Sequence, residues 1–326
     1  MTDKKETLYQ QMLNDCRQYI AQGLQPEADL HIHTTFSDGL FTPAELIKYA
    51  KEIHLKRIYF TDHNTILPTY LNVKSLPKER FNGIQVGVGT EIACKILDEA
   101  TKKYIPIEIL AYGVDVCKMQ HFLDQFSFSK TTSQKEQLDY LVTICKKLGL
   151  QTSDEIFLPE GKFATEFLCR DLQKYPENKA YFLQNAPEPW DSPKLFFKKY
   201  CANPHSDFYI DTTTHLPTFE ETAQAILEAG GLPFLAHAFI YIYQDMASVY
   251  QMLEKIEKAT NYQVNIEVFH SSHTKEHQDF LLEYAKANHL LISGGTDFHS
   301  GPDTVLGFGK KGNLQDLKLS MFDWLS

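Results

Sequence analysis

Seven short apolar runs, at residues 29–33, 57–62, 85–92, 105–112, 232–237, 263–269 and 290–296, punctuate the chain and set its fold class. They are rich in Ile, Val, Leu and Phe and almost continuous in hydrophobicity, as expected of strands in a parallel sheet covered by helices. Between several of them apolar residues recur at helical spacing, as at 43–53 behind a Thr42 cap, 219–229, 246–259 and 275–288. This alternation predicts an α/β protein. Right-handed crossovers close seven such strands naturally into a barrel, and a doubly wound open sheet is the alternative. At 326 residues the chain has room for the barrel as one unit. The rhythm breaks once, over residues 117–218, which read as helix and loop. The predicted organisation is therefore a first barrel segment 1–116, a helical insertion 117–218 over the barrel mouth between strands four and five, and a second barrel segment 219–326.

Charge narrows the range of partners. A net charge of -10 and a pI near 5.7 oppose binding to an extended nucleic-acid duplex, which requires a basic stripe to displace counterions. A local basic pocket for a small phosphorylated ligand is compatible with that balance. Six cysteines are scattered without a C-x-x-C pair, a pattern of reduced thiols rather than a zinc knuckle or a disulfide framework. Residues 1–22 are charged and helix-like, without the apolar core of a signal peptide, and no run approaches a membrane span. The expected compartment is the cytoplasm, with no membrane partner.

The chemistry lies where polar residues meet the strand ends. His31 and His33 occupy alternate positions of the first strand, so their side chains share a face. Asp38 follows in the next loop. The second strand ends Thr61-Asp62-His63, the third Gly89-Thr90-Glu91, the fifth Ala236-His237, and the seventh Thr296-Asp297-Phe298-His299. In an α/β barrel these carboxyl ends form the active-site face. Imidazoles and carboxylates gathered there match the ligand set of Zn, Mn or Fe. A lone histidine at a strand end is usually structural, and His54, His205, His215, His277 and His289 are read so. Two same-face pairs at strand ends are not explained that way. Asp62 reads as a carboxylate that orients a ligand or fixes the loop.

Together, Asp29-Leu30-His31-Ile32-His33-Thr34-Thr35-Phe36-Ser37-Asp38-Gly39, Thr61-Asp62-His63-Asn64-Thr65, Gly89-Thr90-Glu91-Ile92, His237 and Thr296-Asp297-Phe298-His299 resemble the PHP (polymerase and histidinol phosphatase) family. The branch most similar contains small phosphoesterases acting on nucleotides or short oligonucleotides, which also carry a helical insertion. The resemblance implies a distorted seven-stranded (β/α)7 barrel holding two or three divalent transition-metal ions (Mn, Fe or Zn). It implies His31, His33, Glu91 and Asp297 on a first ion, Glu91 and His237 on a second, and Asp38, His63 and His299 on a third. It also implies a metal-bound hydroxide as the nucleophile in phosphoester hydrolysis.

Two departures from the family pattern stand out. Glu108, in Glu108-Ile109-Leu110-Ala111-Tyr112, stands where the family usually has His. A carboxylate between Ile107 and Ile109 is costly unless compensated, so Glu108 is read as a ligand of the second ion or a salt-bridged relic. A carboxylate there favours Mn or Fe over Zn. In the insertion, Gly161-Lys162-Phe163-Ala164 stands where related proteins have an Arg and a His, which leaves Lys162 as a candidate phosphate contact without the bidentate fork of Arg, or Arg170 farther on in its place. Beyond Glu267 in the sixth strand, His270 is the candidate proton donor to the leaving oxygen, and His273 reads as packing or loop-fixing. The expected activity is hydrolysis of a phosphoester of a nucleotide, a small metabolite or a short oligonucleotide. The alternatives are an amidohydrolase-like barrel, which would want a Lys or His where Glu108 stands, and a degenerate barrel that binds metal or nucleotide without turnover.

Overall fold

The computed structural model describes residues 3–98, 101–126, 134–159, 162–185, 192–211, 213–241, 245–261, 263–301, 303–310, 312–314 and 317–325. They form two compact units, one of Met1–Cys94, Ile107–Phe126 and Pro217–Ser326, the other of Lys95–Pro106 and Ser127–Leu216. The predicted insertion 117–218 overlaps the second unit. The tip of a hairpin at 95–106 joins that unit, while the helix after the fourth strand stays with the first.

The first unit is built on the strands β1 (Ala28–Ile32), β2 (Arg57–Phe60), β3 (Gln85–Asp98), β4 (Lys103–Tyr112), β5 (Leu232–Leu235), β6 (Asn265–His270) and β7 (Ile292–Gly295). They hydrogen-bond in chain order. The two edges meet through His33 N, which donates to Phe298 O at 2.8 Å, and Phe298 N, which donates to His31 O at 3.3 Å. The sheet is thus a nearly closed barrel rather than a doubly wound open sheet. Gly295 allows the approach: a Cβ there would lie 2.3 Å from the His31 backbone nitrogen.

One strand departs from the expected parallel sheet. β1 to β3 are parallel, as are β5 to β7, but β4 runs antiparallel to β5. The connection between Asp98 and Lys103 is too short for a crossover helix, so the chain turns straight back. The reversal puts the middle of β4, with Glu108, at the end of the barrel where the other strands finish. The opposite end is filled by rings. Trp324 stacks on Tyr112 at 5.0 Å and packs on Phe234 at 5.1 Å, with its Nε1 donating to Ile292 O.

The helices form where capping and apolar periodicity coincide. α1 (Asp3–Ala21) contributes Tyr9 and Met12 to a core shared with Phe41, Leu46 and Tyr49. α2 (Pro43–Glu52) opens with a reciprocal box in which Glu45 N donates to Thr42 Oγ1 and Thr42 N to Glu45 Oε2. α3 (Leu67–Ser75) and α4 (Val116–Leu123) follow β2 and β4. The second unit holds α5 (Gln134–Lys147), α6 (Ala164–Leu172), α7 (Lys179–Asn185) and α8 (Pro193–Phe196), around a core that includes Leu141, Leu168, Phe196 and Phe208. Back in the first unit, α9 (Phe219–Glu228), α10 (Met246–Ala259) and α11 (Lys275–Ala287) alternate with β5, β6 and β7. Among the described residues, no helix is long and apolar enough to cross a membrane.

α10 carries a liability. Glu257 is fully buried, and among the described residues neither carboxylate oxygen has a hydrogen-bond partner. Burial, with Glu254 nearby, pushes its pKa up to about 8. The folded state therefore favours the protonated form, and the stability this group allows declines as pH rises from the ordinary glutamate range towards 8. Replacing Glu257 by Met should stabilise the protein by about 1–3 kcal/mol at neutral pH. Denaturant unfolding of both proteins between pH 5 and 8 checks this; the gap should widen with pH, and a gap independent of pH contradicts it.

Candidate metal centre

All nine predicted ligand positions come together at one end of the barrel. β1 supplies His31, with His33 just past its end, and the following loop supplies Asp38. His63 follows β2. Glu91 lies within β3, which runs on past the barrel into the hairpin. Glu108 comes from β4, His237 follows β5, and Asp297 and His299 follow β7. His237 and Asp297 have φ of +24° and +55°, a region non-glycine residues avoid, and such backbone strain gathers at functional sites.

Three overlapping groups can be distinguished. In the first, Glu91 Oε2 lies 3.2 Å from both His31 Nε2 and His33 Nε2, and Asp297 Oδ1 is 3.5 and 3.2 Å from the same nitrogens. In the second, His237 Nε2 sits 2.9 Å from Glu91 Oε1 and 3.5 Å from Glu108 Oε2, with His63 Nδ1 3.8 Å from Glu108 Oε1. In the third, Asp38 Oδ2 is 3.2 Å from His299 Nε2 and 3.8 Å from His63 Nε2. His63 thus turns one nitrogen to the second group and the other to the third.

The donor atoms fit a cation better than they fit each other. His31 Nε2 and His33 Nε2 each lie 3.2 Å from Glu91 Oε2, and all three atoms are buried, yet none makes a hydrogen bond among the described residues. Buried polar atoms are almost always paired, so three orphans aimed at one point mark the place of something between them. The set is nitrogen and oxygen without thiolate, suited to Zn, Mn or Fe.

The electrostatics agree. Burial opposes ionisation of Glu91 and Asp297, but the surrounding imidazoles, His31 foremost, hold both carboxyls well below their usual range. Burial and the neighbouring Glu91 push Glu108 up to about 7. Among the described residues its ionic neighbours are His63 and His237, and the salt-bridged alternative has no lysine or arginine partner.

Other groups position the donors. Asp62 accepts from Thr34 N at 2.7 Å, Thr34 Oγ1 at 2.8 Å, Ser37 Oγ at 2.7 Å and Thr69 Oγ1 at 2.6 Å, which fixes the loop leading to Asp38. Asp29 accepts from Thr296 N and Oγ1 and Gly307 N, which ties β1 to the end of β7. Tyr241 Oη accepts from Glu108 N at 2.8 Å. Sequence reasoning gave no role to Asp29, Tyr241 or the buried Glu267, whose Oε1 is 2.9 Å from His31 Nδ1. Glu267 had a signal, a charge between Ile266 and Val268 in an apolar strand, the same signal as Glu108.

His270 is buried beside the first group. Its Nδ1 accepts from Ser272 N at 3.0 Å and its Nε2 is 3.4 Å from Asp297 Oδ2. His273 donates from Nδ1 to Val268 O, and burial pushes it down to about 3, which suits a neutral packing role. Lys162 and Arg170 belong to the second unit. Both are exposed, and Arg170 is paired with Glu166 one helical turn away at 2.9 Å. Gly161 lies outside the described residues.

A family model described as the PHP domain matches residues 29–186. The chain is 25% identical over 274 residues to a phosphoribosyl 1,2-cyclic phosphate 1,2-diphosphodiesterase of Eggerthella lenta, an alignment covering 83% of this chain and 93% of the relative. It is 24% identical over 291 residues to the 5'-3' exoribonuclease Rnm of Salmonella typhimurium, covering 87% and 88%. A crystal structure of a candidate metal-dependent phosphoesterase from Bifidobacterium adolescentis superposes with a TM-score of 0.52 at 22% identity, covering 89% of this chain and 93% of the other.

The Asp62 network yields a prediction. Asp62→Ala strands a buried N–H and three hydroxyls and should cost about 1–3 kcal/mol. Thermal unfolding of the metal-free protein measures it; an unchanged melting temperature would show the loop to be held by other contacts.

Proposed function

We propose that the chain acts as a metal-dependent phosphoesterase of the PHP family, hydrolysing ribose-linked phosphoesters, as nucleotides or short oligonucleotides, at a centre of two or three divalent metal ions. The observation that carries the reading is the convergence of the orphaned His31 Nε2, His33 Nε2 and Glu91 Oε2. The substrate class is supported by the relatives, one named for a phosphoribosyl cyclic phosphate and the other for RNA.

In this reading His31, His33, Glu91 and Asp297 hold a first ion, Glu91, Glu108 and His237 a second, and Asp38, His63 and His299 a third. Bound there, the ions would supply charge neutralisation for phosphate oxygens and an acidified water at neutral pH. Two carboxylates against one imidazole make the second site harder and favour Mn or Fe. Because His270 Nδ1 accepts from Ser272 N, the neutral ring carries its proton on Nε2, which faces Asp297. Burial lowers its pKa, so the ring is held neutral and presents its Nε2 proton to a phosphate or leaving oxygen. Lys162 and Arg170 are the proposed phosphate contacts of the second unit. Six free cysteines, five of them buried, support a reducing compartment such as the cytoplasm.

Elemental analysis after incubation with Mn should find two or three ions per chain, and one or fewer contradicts the reading. Glu91→Ala should lose the first two ions together with nearly all hydrolysis of a phosphoester panel. The Glu108 variants separate its roles. Glu108→His should keep the second site filled, with preference moved towards Zn, while Glu108→Ala should lose that ion alone. A full metal count in Glu108→Ala would show that Glu108 is not a ligand.

A further inference from the structure

Resting on the reading of His31 and His237 as ligands, we propose that Glu267 is a positioning residue shared by two metal sites, so that a lesion at Glu267 weakens both. Glu267 lies in the middle of β6, fully buried, and its two oxygens serve His31 of β1 and His237 beyond β5.

Oε1 is 2.9 Å from His31 Nδ1. A buried carboxylate only accepts, so the proton sits on Nδ1 and the lone pair of Nε2 is presented to Glu91 and Asp297. Oε2 accepts the backbone N–H of His237 at 2.8 Å. That bond holds a residue at φ +24°, with its Nε2 placed 2.9 Å from Glu91 Oε1. One side chain therefore fixes the tautomer of a donor to the first site and the backbone of a donor to the second. Among the described residues no lysine or arginine pairs with Glu267, and its ionic neighbour is His31.

Glutamine has the same size but a single acceptor oxygen. Turned with its amide nitrogen to His31, it requires the lone pair of Nδ1 and moves the ring proton to Nε2, where it faces the metal donors. Turned the other way, it sets its N–H groups against the N–H of His237. Either arrangement disables one anchor and leaves the other on a neutral amide oxygen in place of a carboxylate, so both sites are weakened.

The test compares wild type, Glu267→Gln and Glu91→Ala, each stripped by chelator and titrated with Mn or Co. Metal bound per chain is counted, and the visible spectrum of the Co form reports ligand geometry. Glu267→Gln should bind the first two ions about 10–100-fold more weakly and lose them together, with an altered Co spectrum. It should keep the third ion and fold normally without metal. Its kcat should fall at limiting Mn and recover as Mn saturates, with KM little changed, a rescue that a purely structural lesion would not show. Wild-type affinity and spectrum in Glu267→Gln, beside metal loss in Glu91→Ala, overturn the proposal and leave the ligand reading standing. Full metal in both variants overturns the ligand reading itself. Loss from one site alone in Glu267→Gln contradicts the shared role. If Glu267→Gln does not fold, Glu267→Asp, which keeps the charge but is one methylene too short to reach both partners, takes its place with the same outcomes. Collapse of both variants without metal overturns the positioning role.

Discussion

Glu91 is a carboxylate buried among imidazoles, and the arrangement around it depends on that one group. Its two oxygens lie within 3.3 Å of nitrogens from His31, His33, His63 and His237, which come from three different segments of the chain. A buried charge persists only when compensated. The compensation here arrives from every side of the barrel, so closing the barrel and assembling the site are one event. The strained backbones at His237 and Asp297 are consistent with a fold that overrides local preference to aim these rings inward.

Around that centre lies a second set of buried carboxylates that turn away from it. Asp29, Asp62 and Glu267 each hold backbone or side-chain donors from more than one element, and none is paired with a lysine or arginine among the described residues. They separate two tasks. The inner donors are left with unsatisfied lone pairs, while the outer carboxylates hold the inner donors in orientation. A barrel stabilised only by apolar packing would close equally well but would leave the rings free to rotate.

Much of this was legible in the sequence, and particular residues show why. His31 with His33 and Asp297 with His299 could be read because a strand throws alternate side chains to one face. Glu108 was legible as a charge in an apolar strand, and Glu267 carried the same mark without being given a role, since nothing local says what a buried carboxylate will meet across a barrel. The reversal of β4 was hidden because its apolar run looks the same in either direction. Only the short connection from Asp98 hints at it. Asp62 was read as a loop-fixing group, but its four partners come from loop spacing that periodicity does not encode. Arg170 looked available in sequence and is engaged by Glu166 on its own helix.

The most direct test of the central claim is anomalous X-ray scattering at the Mn edge from crystals of the Mn-loaded protein. The account predicts a peak enclosed by His31 Nε2, His33 Nε2, Glu91 and Asp297, at about 2.0–2.3 Å from each donor, and a second between Glu91, Glu108 and His237. Manganese bound elsewhere, with these donors bridged only by water or by each other, would contradict it.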